Sequence, residues 1–299
     1  MDSQHSITVR VPATSANLGP GFDALGVALE WLAEVTLSPA AEATSSTDGV
    51  VLAITRMATE AAALVYAEAG ASGPPVASYS GDLPVGRGLG MSAASRAAGL
   101  VGANELLGCP LSDEALVRLA VRLEGHGDNI IPALFGGLRV VVHREDGELV
   151  HVGVTPPDDL RLALLIPEFS MPTEESRKRL PATLTRQQAV HNIGRAALTV
   201  AALTQHRYDA LRTSVEDVLH QPARGEIFPA MPKIIAAAQE AGAYGAYLSG
   251  GGSTIAAFVS PDTGDVVAAA MAEVARAEGL VASTRVVGLR AAGTEVVER

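Results

Sequence analysis

The chain has 299 residues, 48% hydrophobic and 18% charged, a composition that suits a compact folded protein and not a disordered one. A net charge of -11 argues against nonspecific nucleic-acid binding, which depends on Lys and Arg neutralising phosphates, while leaving room for a small anionic ligand held by a few convergent arginines. Cys109 is the single cysteine, which excludes an internal disulfide and a thiolate zinc cluster.

The length allows two domains, and with aromatics at only 4% the core must be built from Ala, Val and Leu. The first twelve residues are polar and lack the basic-then-apolar order of a secretory signal. No uninterrupted apolar run reaches membrane-spanning length, so a cytoplasmic protein without a membrane partner is expected.

Residues 7–11 read as a short strand that enters a loop at 12–21. Residues 27–37 are a second extended stretch, rich in β-branched and large apolar side chains. The Ala/Ser/Thr-rich stretch at 40–48 reads as surface loop, and a helix is expected over 57–69, closing at Gly70. Pro84, Gly86, Gly88 and Gly90 then punctuate a turn, followed by a helix over 92–107 that ends at Gly108. Ser92 or a neighbour is expected to cap it.

Ser112, Asp113 and Glu114 open another helix, whose Leu116, Leu119 and Leu123 share a core-facing stripe and which runs out at Glu124. Gly136 and Gly137 lead into a strand at 138–143, and a domain change is expected near 156–159, giving units 1–156 and 157–299. Beyond it come a strand at 161–166, a helix over 188–204 with Ile193, Ala197 and Val200 on one face, a helix over 266–277 and a strand at 285–289. The fold class is α+β in two mixed domains, with no internal repeat.

The run Gly86-Arg87-Gly88-Leu89-Gly90-Met91-Ser92 is a glycine-rich turn feeding directly into a helix. Glycines let the backbone approach phosphate oxygens, and the helix start offers free N–H groups and the positive dipole end. It is not a P-loop, because no Lys precedes the hydroxyl residue. Nor is it a dinucleotide fingerprint, since Glu105 and Asp113 follow the helix instead of ending a second strand. On residue type alone, Asn17 and Asp23 suit either an amino-acid ligand or Asx-turn bonding, and Glu124 suits either a magnesium ion or a solvated helix end.

The segment from Pro12 through Ala13-Thr14-Ser15-Ala16-Asn17-Leu18-Gly19-Pro20-Gly21-Phe22 to Asp23 resembles the first motif of homoserine kinases in the GHMP kinase superfamily. Gly86 to Ser95 resembles the superfamily's phosphate loop, and Leu248-Ser249-Gly250-Gly251-Gly252-Ser253 its third, glycine-rich motif. Three motifs in order over nearly the whole chain imply a two-domain GHMP kinase fold. Its N-terminal domain, like ribosomal protein S5, and its ferredoxin-like C-terminal domain hold ATP and substrate between them.

The resemblance implies ATP contacts from Pro84, Gly86, Arg87, Gly88, Leu89, Gly90, Met91, Ser92 and Ser95, with Mg²⁺ held by Ser92 and Glu124. It implies L-homoserine as the acceptor, with Asn17 and Asp23 as its ligands. His126, Asp128 and Asn129 stand in the family's His-x-Asp-Asn segment and organise the substrate, the identity of any base being left open. Thr173 and Arg177 fall in one family pattern and Arg224 in another, the arginines suiting an α-carboxylate. A homodimer is also a family expectation, and no nucleic-acid partner is implied. Three positions depart from the family: Met91 in place of Ser, Gly127 in place of Pro, expected to loosen its loop, and Ser253 in place of Pro. Two other readings stand beside this one, a kinase of mevalonate-type or sugar alcohols and a catalytically silent metabolite-binding member.

Overall fold

The computed structural model describes residues 6–39, 47–171 and 173–298. Strands β1 (Ile7–Ala16) and β2 (Leu25–Ser38) form an antiparallel hairpin from Ile7 opposite Leu37 to Ala16 opposite Gly26. β1 thus runs five residues beyond the strand expected from its apolar pattern. Pro12 cannot donate to the ladder, and a register shift between Pro12 and Thr14 absorbs it. Thr14 and Ser15 read as loop residues, yet both are fully buried. Only residues 17–24 remain as loop.

Helix α1 (Gly49–Glu68) starts eight residues before the expected position, because Asp48 accepts from the N–H groups of Val50 and Val51 and Ile54 turns into the core. Its length and composition would suit a bilayer, but Ile54, Ala58, Ala61, Ala62 and Val65 are buried within the protein. Next come β3 (Val76–Ser80), α2 (Met91–Leu106), α3 (Asp113–Glu124), α4 (Ile130–Phe135), β4 (Leu138–His143) and β5 (Leu149–Val154). α3 has its expected Ser112 cap, and Leu116 and Leu119 lie in the core. The Ala-rich α2 packs between α1 and the sheet, where small side chains allow close approach.

The second half begins at β6 (Arg161–Pro167) and continues through α5 (Thr173–Lys178), α6 (Arg186–Thr204), a 3₁₀ turn at Tyr208–Ala210, α7 (Leu211–Ser214), α8 (Gln221–Gly225) and α9 (Met231–Glu240). β7 (Gly245–Leu248), β8 (Ile255–Val259), α10 (Gly264–Ala277), β9 (Ala282–Gly288) and β10 (Glu295–Glu298) complete the chain. Strands β7, β8, β6 and β9 lie in that order, all antiparallel, as in a ferredoxin-like unit. α9 and α10 cover one face, with Ile234 and Met271 against Ala163 and Leu165. Leu162, Leu164 and Phe258 on the other face join the core of the first sheet.

The first sheet runs β10-β1-β2-β4-β5 with β3 also on β2, so the chain's last strand returns to pair with its first. Of the face expected on α6, Val200 packs against the core but Ile193 and Ala197 are exposed. Ile193 is 69% exposed, while Asn192 and Thr199 are buried. Buried hydrogen bonds set this rotation: Asn192 Nδ2 donates to Asp217 Oδ1 at 2.7 Å, and Thr199 Oγ1 to the Ser214 carbonyl at 3.1 Å.

Candidate active site

Helix α2 follows Gly90, which is held in the left-handed region at φ 67°, and no side chain caps it. Ser92 does not cap the helix; its hydroxyl donates to Glu124 Oε1 at 2.7 Å. The first N–H groups of α2 therefore face the cleft without an intrahelical partner. The loop before them is packed from behind. A Cβ on Gly88 would lie 2.1 Å from the Ser249 carbonyl oxygen, and one on Gly90 1.8 Å from Thr14 Oγ1. Ser249 Oγ donates to the Gly88 carbonyl at 2.7 Å and Thr254 N–H to the Arg87 carbonyl at 3.0 Å, so the third glycine-rich motif braces the first turn.

Glu124, the last residue of α3, meets α2 through both oxygens. Oε1 accepts from Ser92, and Oε2 pairs with Arg96, one helical turn further along α2. The carboxylate and hydroxyl together present hard oxygen donors beside an anion site, a donor set that fits Mg²⁺.

Also lining the cleft, Asn17 and Asp23 both adopt positive φ, at 71° and 57°. Asn17 Nδ2 donates to the Gly250 carbonyl at 2.9 Å, and its Oδ1 accepts the Asp23 N–H at 3.0 Å. Its amide thus ties the loop to the third motif. Asp23 receives Arg177 in a forked pair at 2.8 and 2.5 Å, which raises the Arg177 pKa, the hydrogen bond acting against burial. Arg177 and Arg224 both lie over the ring of Phe22, at 5.0 and 5.5 Å. Arg224 is 1% exposed, and burial, with Arg177 nearby, brings its pKa down to about 10.

His126 Nδ1 and Asp128 Oδ1 are 2.7 Å apart. Burial pulls the His126 pKa down, but the hydrogen bond to Asp128 and the charges of Asp128 and Glu124 outweigh it, and the net shift is upward. Asn129 accepts from Thr14 Oγ1 at 2.8 Å. The cleft between the phosphate loop and these groups measures about 420 Å³.

Residues 56–137 match the family described as GHMP kinases N terminal domain, and 199–277 match GHMP kinases C terminal. A homoserine kinase of Desulfitobacterium hafniense is 37% identical over 297 residues, covering 97% of this chain and 100% of the relative. The chain belongs to the homoserine kinase family of GHMP kinases. A homoserine kinase of Moorella thermoacetica is 42% identical, over 88% of this chain and 92% of that protein. The crystal structure of homoserine kinase from Cytophaga hutchinsonii superposes with a TM-score of 0.84 at 28% identity, each chain 99% covered.

Within this GHMP kinase, Asn17, Asp23, Gly86, Gly88, Leu89, Gly90, Met91, Ser92, Glu124, His126, Asp128, Asn129, Arg177 and Arg224 all line the one cleft. Three residues expected in the phosphate loop do not. Pro84 lies outside the lining. The Arg87 guanidinium turns away to the carbonyls of Glu168 and Val85. Ser95 is fully buried and bonds back to the Met91 carbonyl at 2.9 Å, because its place on α2 faces the core. Thr173 opens α5, and its side chain lies outside the described residues.

Phe22 and Arg96 line the cleft without having been singled out in the sequence. Arg96 carried a signal, its spacing of four from Ser92 on one helix. Of the departures from the family pattern, Met91 is 3% exposed and packs in the core. Ser253 donates to the Phe169 carbonyl at 2.7 Å, a bond that Pro could not make. At Gly127 a Cβ would lie 2.5 Å from Val141 Cγ1 and 2.7 Å from Leu149 Cδ1, so the two side chains fill the space beside the glycine.

Proposed function

We propose that this GHMP kinase transfers the γ-phosphoryl group of ATP to the side-chain hydroxyl of L-homoserine, releasing ADP and O-phospho-L-homoserine for threonine biosynthesis. One observation carries the reading. A single cleft is lined both by the start of α2, with its free N–H groups, and by a carboxylate and two arginines, Asp23, Arg177 and Arg224. The helix start suits a triphosphate, and the charged group suits the two charges of an amino acid.

In this reading the turn from Gly86 to Ser92 holds the phosphates through backbone N–H groups. Ser92 and Glu124 would hold Mg²⁺, which neutralises charge on the phosphates. Asp23 receives the substrate ammonium, and Arg177 and Arg224 receive its carboxylate. Asn17 fixes the loop that carries Asp23, and the His126–Asp128 pair and Asn129 shape the wall beside the acceptor hydroxyl. A loose transition state asks for alignment and charge neutralisation more than for early deprotonation.

The reading extends to a cytoplasmic homodimer without nucleic-acid or membrane partners, which light scattering after gel filtration checks. It also places the division between the two folding units near residues 156–159, with the last strand returned to the first unit.

The test is ADP release with Mg²⁺-ATP and L-homoserine, set against L-threonine, L-serine, mevalonate and galactose, with product mass measured. Turnover that depends on homoserine upholds the proposal. Turnover with mevalonate or galactose alone removes it, and ATP binding without turnover on any alcohol marks a silent member.

A further inference from the structure

The reaction as described leaves His220 unused, although it is buried beside the cleft. Its side chain is fully enclosed, and Nε2 lies 2.7 Å from the Gly19 carbonyl oxygen. A carbonyl only accepts, so Nε2 carries the hydrogen and Nδ1 is the acceptor. Arg224 Nη1 donates to that Nδ1 at 2.7 Å and to the Gly250 carbonyl at 3.0 Å.

Both Nη1 hydrogens are thereby used, and the guanidinium cannot turn without losing both bonds. Its remaining donors are Nε and Nη2. Nε is buried with no hydrogen-bond partner among the described residues, in a side chain that lines the cleft. Nη2 is not enclosed in this way and is the donor left to a carboxylate in the cleft.

The backbone that carries the imidazole is held too, and Asp217 Oδ2 lies 3.6 Å from Nε2. Asp217 Oδ2 accepts from the backbone N–H groups of His220 at 2.8 Å and Gln221 at 2.7 Å. The Phe22 ring lies 5.4 Å from the His220 ring. Burial, with the Arg224 charge, brings the His220 pKa down to about 4 against the pull of Asp217, in keeping with a neutral acceptor.

We propose that His220 is a positioning residue: anchored by Nε2–H on the Gly19 carbonyl, it holds Arg224 Nη1 and so fixes the guanidinium at the cleft wall, where it meets the substrate carboxylate. The proposal rests on the reading of Arg224 as a carboxylate contact. It also joins the two substrate ends through one ring, since the Gly19 loop carries Asp23 as well.

Two conservative substitutions separate the two bonds. His220→Asn sets an amide oxygen near the Nδ1 position and keeps the acceptor for Arg224. His220→Gln sets an amide nitrogen near the Nε2 position and keeps only the bond to Gly19. The expected result is a homoserine KM raised roughly tenfold or more in His220→Gln and within about threefold of wild type in His220→Asn. ATP KM and saturated kcat stay level in both. Competitive inhibition by 3-aminopropan-1-ol, which lacks the carboxylate, should not change.

Equal KM increases in the two variants, or parallel weakening of the amino alcohol, overturn the proposal. Arg224→Met tells the two failures apart. If it leaves homoserine KM unchanged, the carboxylate contact itself is wrong; if it raises KM while His220→Gln does not, only the His220 role is wrong. Should either His220 variant fail to fold, ¹⁵N NMR of the wild-type imidazole reads the tautomer directly. Protonated Nε2 with bare Nδ1 is expected, and the reverse tautomer or an imidazolium at neutral pH overturns the proposal.

Discussion

Arg177 and Asp23 stand 154 residues apart in sequence and meet in a forked ion pair across the cleft. One comes from the α5 segment and the other from the loop after β1, so the pair closes the substrate end from both sides. An amino acid carries the same two charges, and in the proposed complex it exchanges this one pair for two, its ammonium on Asp23 and its carboxylate on the arginines. Removing either partner leaves the other charge unmatched at about one-third exposure, the side chains being 34% and 31% exposed. Arg177→Met and Asp23→Asn are each expected to raise homoserine KM roughly ten- to hundredfold, with ATP KM within about twofold. Initial-rate kinetics with both substrates varied give the answer. Equal increases in both KM values would make the pair a structural strut.

Glu124 makes the opposite prediction for the nucleotide end. Its carboxylate holds the Ser92 hydroxyl and the Arg96 guanidinium together, next to the start of α2. Glu124→Gln keeps the shape but removes the charge that a magnesium ion would require. The expected outcome is a kcat lower by about a hundredfold and a higher Mg²⁺ requirement, with homoserine KM little changed. Ser92→Ala, which loses a neutral ligand, should cost about tenfold or less. Titrating activity against free Mg²⁺ at fixed ATP checks both. An unchanged Mg²⁺ profile in Glu124→Gln would remove the metal assignment.

These residues were legible in the sequence to different degrees, for physical reasons. The turn at Gly86–Gly90 and the helix after it are local features, and strand β4 falls where its apolar run ends. The extension of β1 to Ala16 is not local: Thr14 donates its N–H to the Leu89 carbonyl at 3.1 Å, and Ser15 shares hydrogen bonds with Tyr247 and Ser249. Such partners override the loop character of Thr and Ser. The inward face of α6 departs from its apolar stripe, keeping only Val200 of it, because buried Asn192 and Thr199 bond to Asp217 and the Ser214 carbonyl. In the site, nearness in sequence does not decide which side chains reach the cleft. Ser95 follows Ser92 by three residues yet points into the core, whereas Arg96, one residue further, reaches Glu124.

Gly127 stands where the family pattern has Pro, and the volume that a ring would occupy belongs here to Val141 and Leu149. Gly127→Ala is expected to destabilise the protein by about 1–3 kcal/mol, as overpacking does, although alanine is ordinarily the stiffer residue. Adding Val141→Ala should return part of that loss, so the double variant is less destabilised than the two single effects summed. Denaturant unfolding of the four proteins closes the cycle. Strict additivity would mean that Val141 has room to move aside.

The pH dependence of stability should carry the signature of His220. In the folded protein its pKa is down at about 4, against an ordinary 6.5 in the unfolded chain. Between those values the unfolded chain binds the extra proton, so this group's contribution is complete above about 6.5 and is lost as pH falls towards 4. The slope is at most about 1.4 kcal/mol per pH unit for the one group. His126 acts with the opposite sign, since its pKa is raised: its contribution is complete below the ordinary histidine value and is lost as pH rises through the folded one. Comparing wild type with His220→Asn cancels His126 and every carboxylate except Asp217, whose Oδ2 lies 3.6 Å from the His220 Nε2. The stability difference between the two proteins should be flat above about 6.5 and then shift steadily against the wild type down to about 4. A difference that stays constant through that window would mean that the buried imidazole is already protonated in the fold. It would then be unable to accept the Arg224 bond that the geometry requires of it.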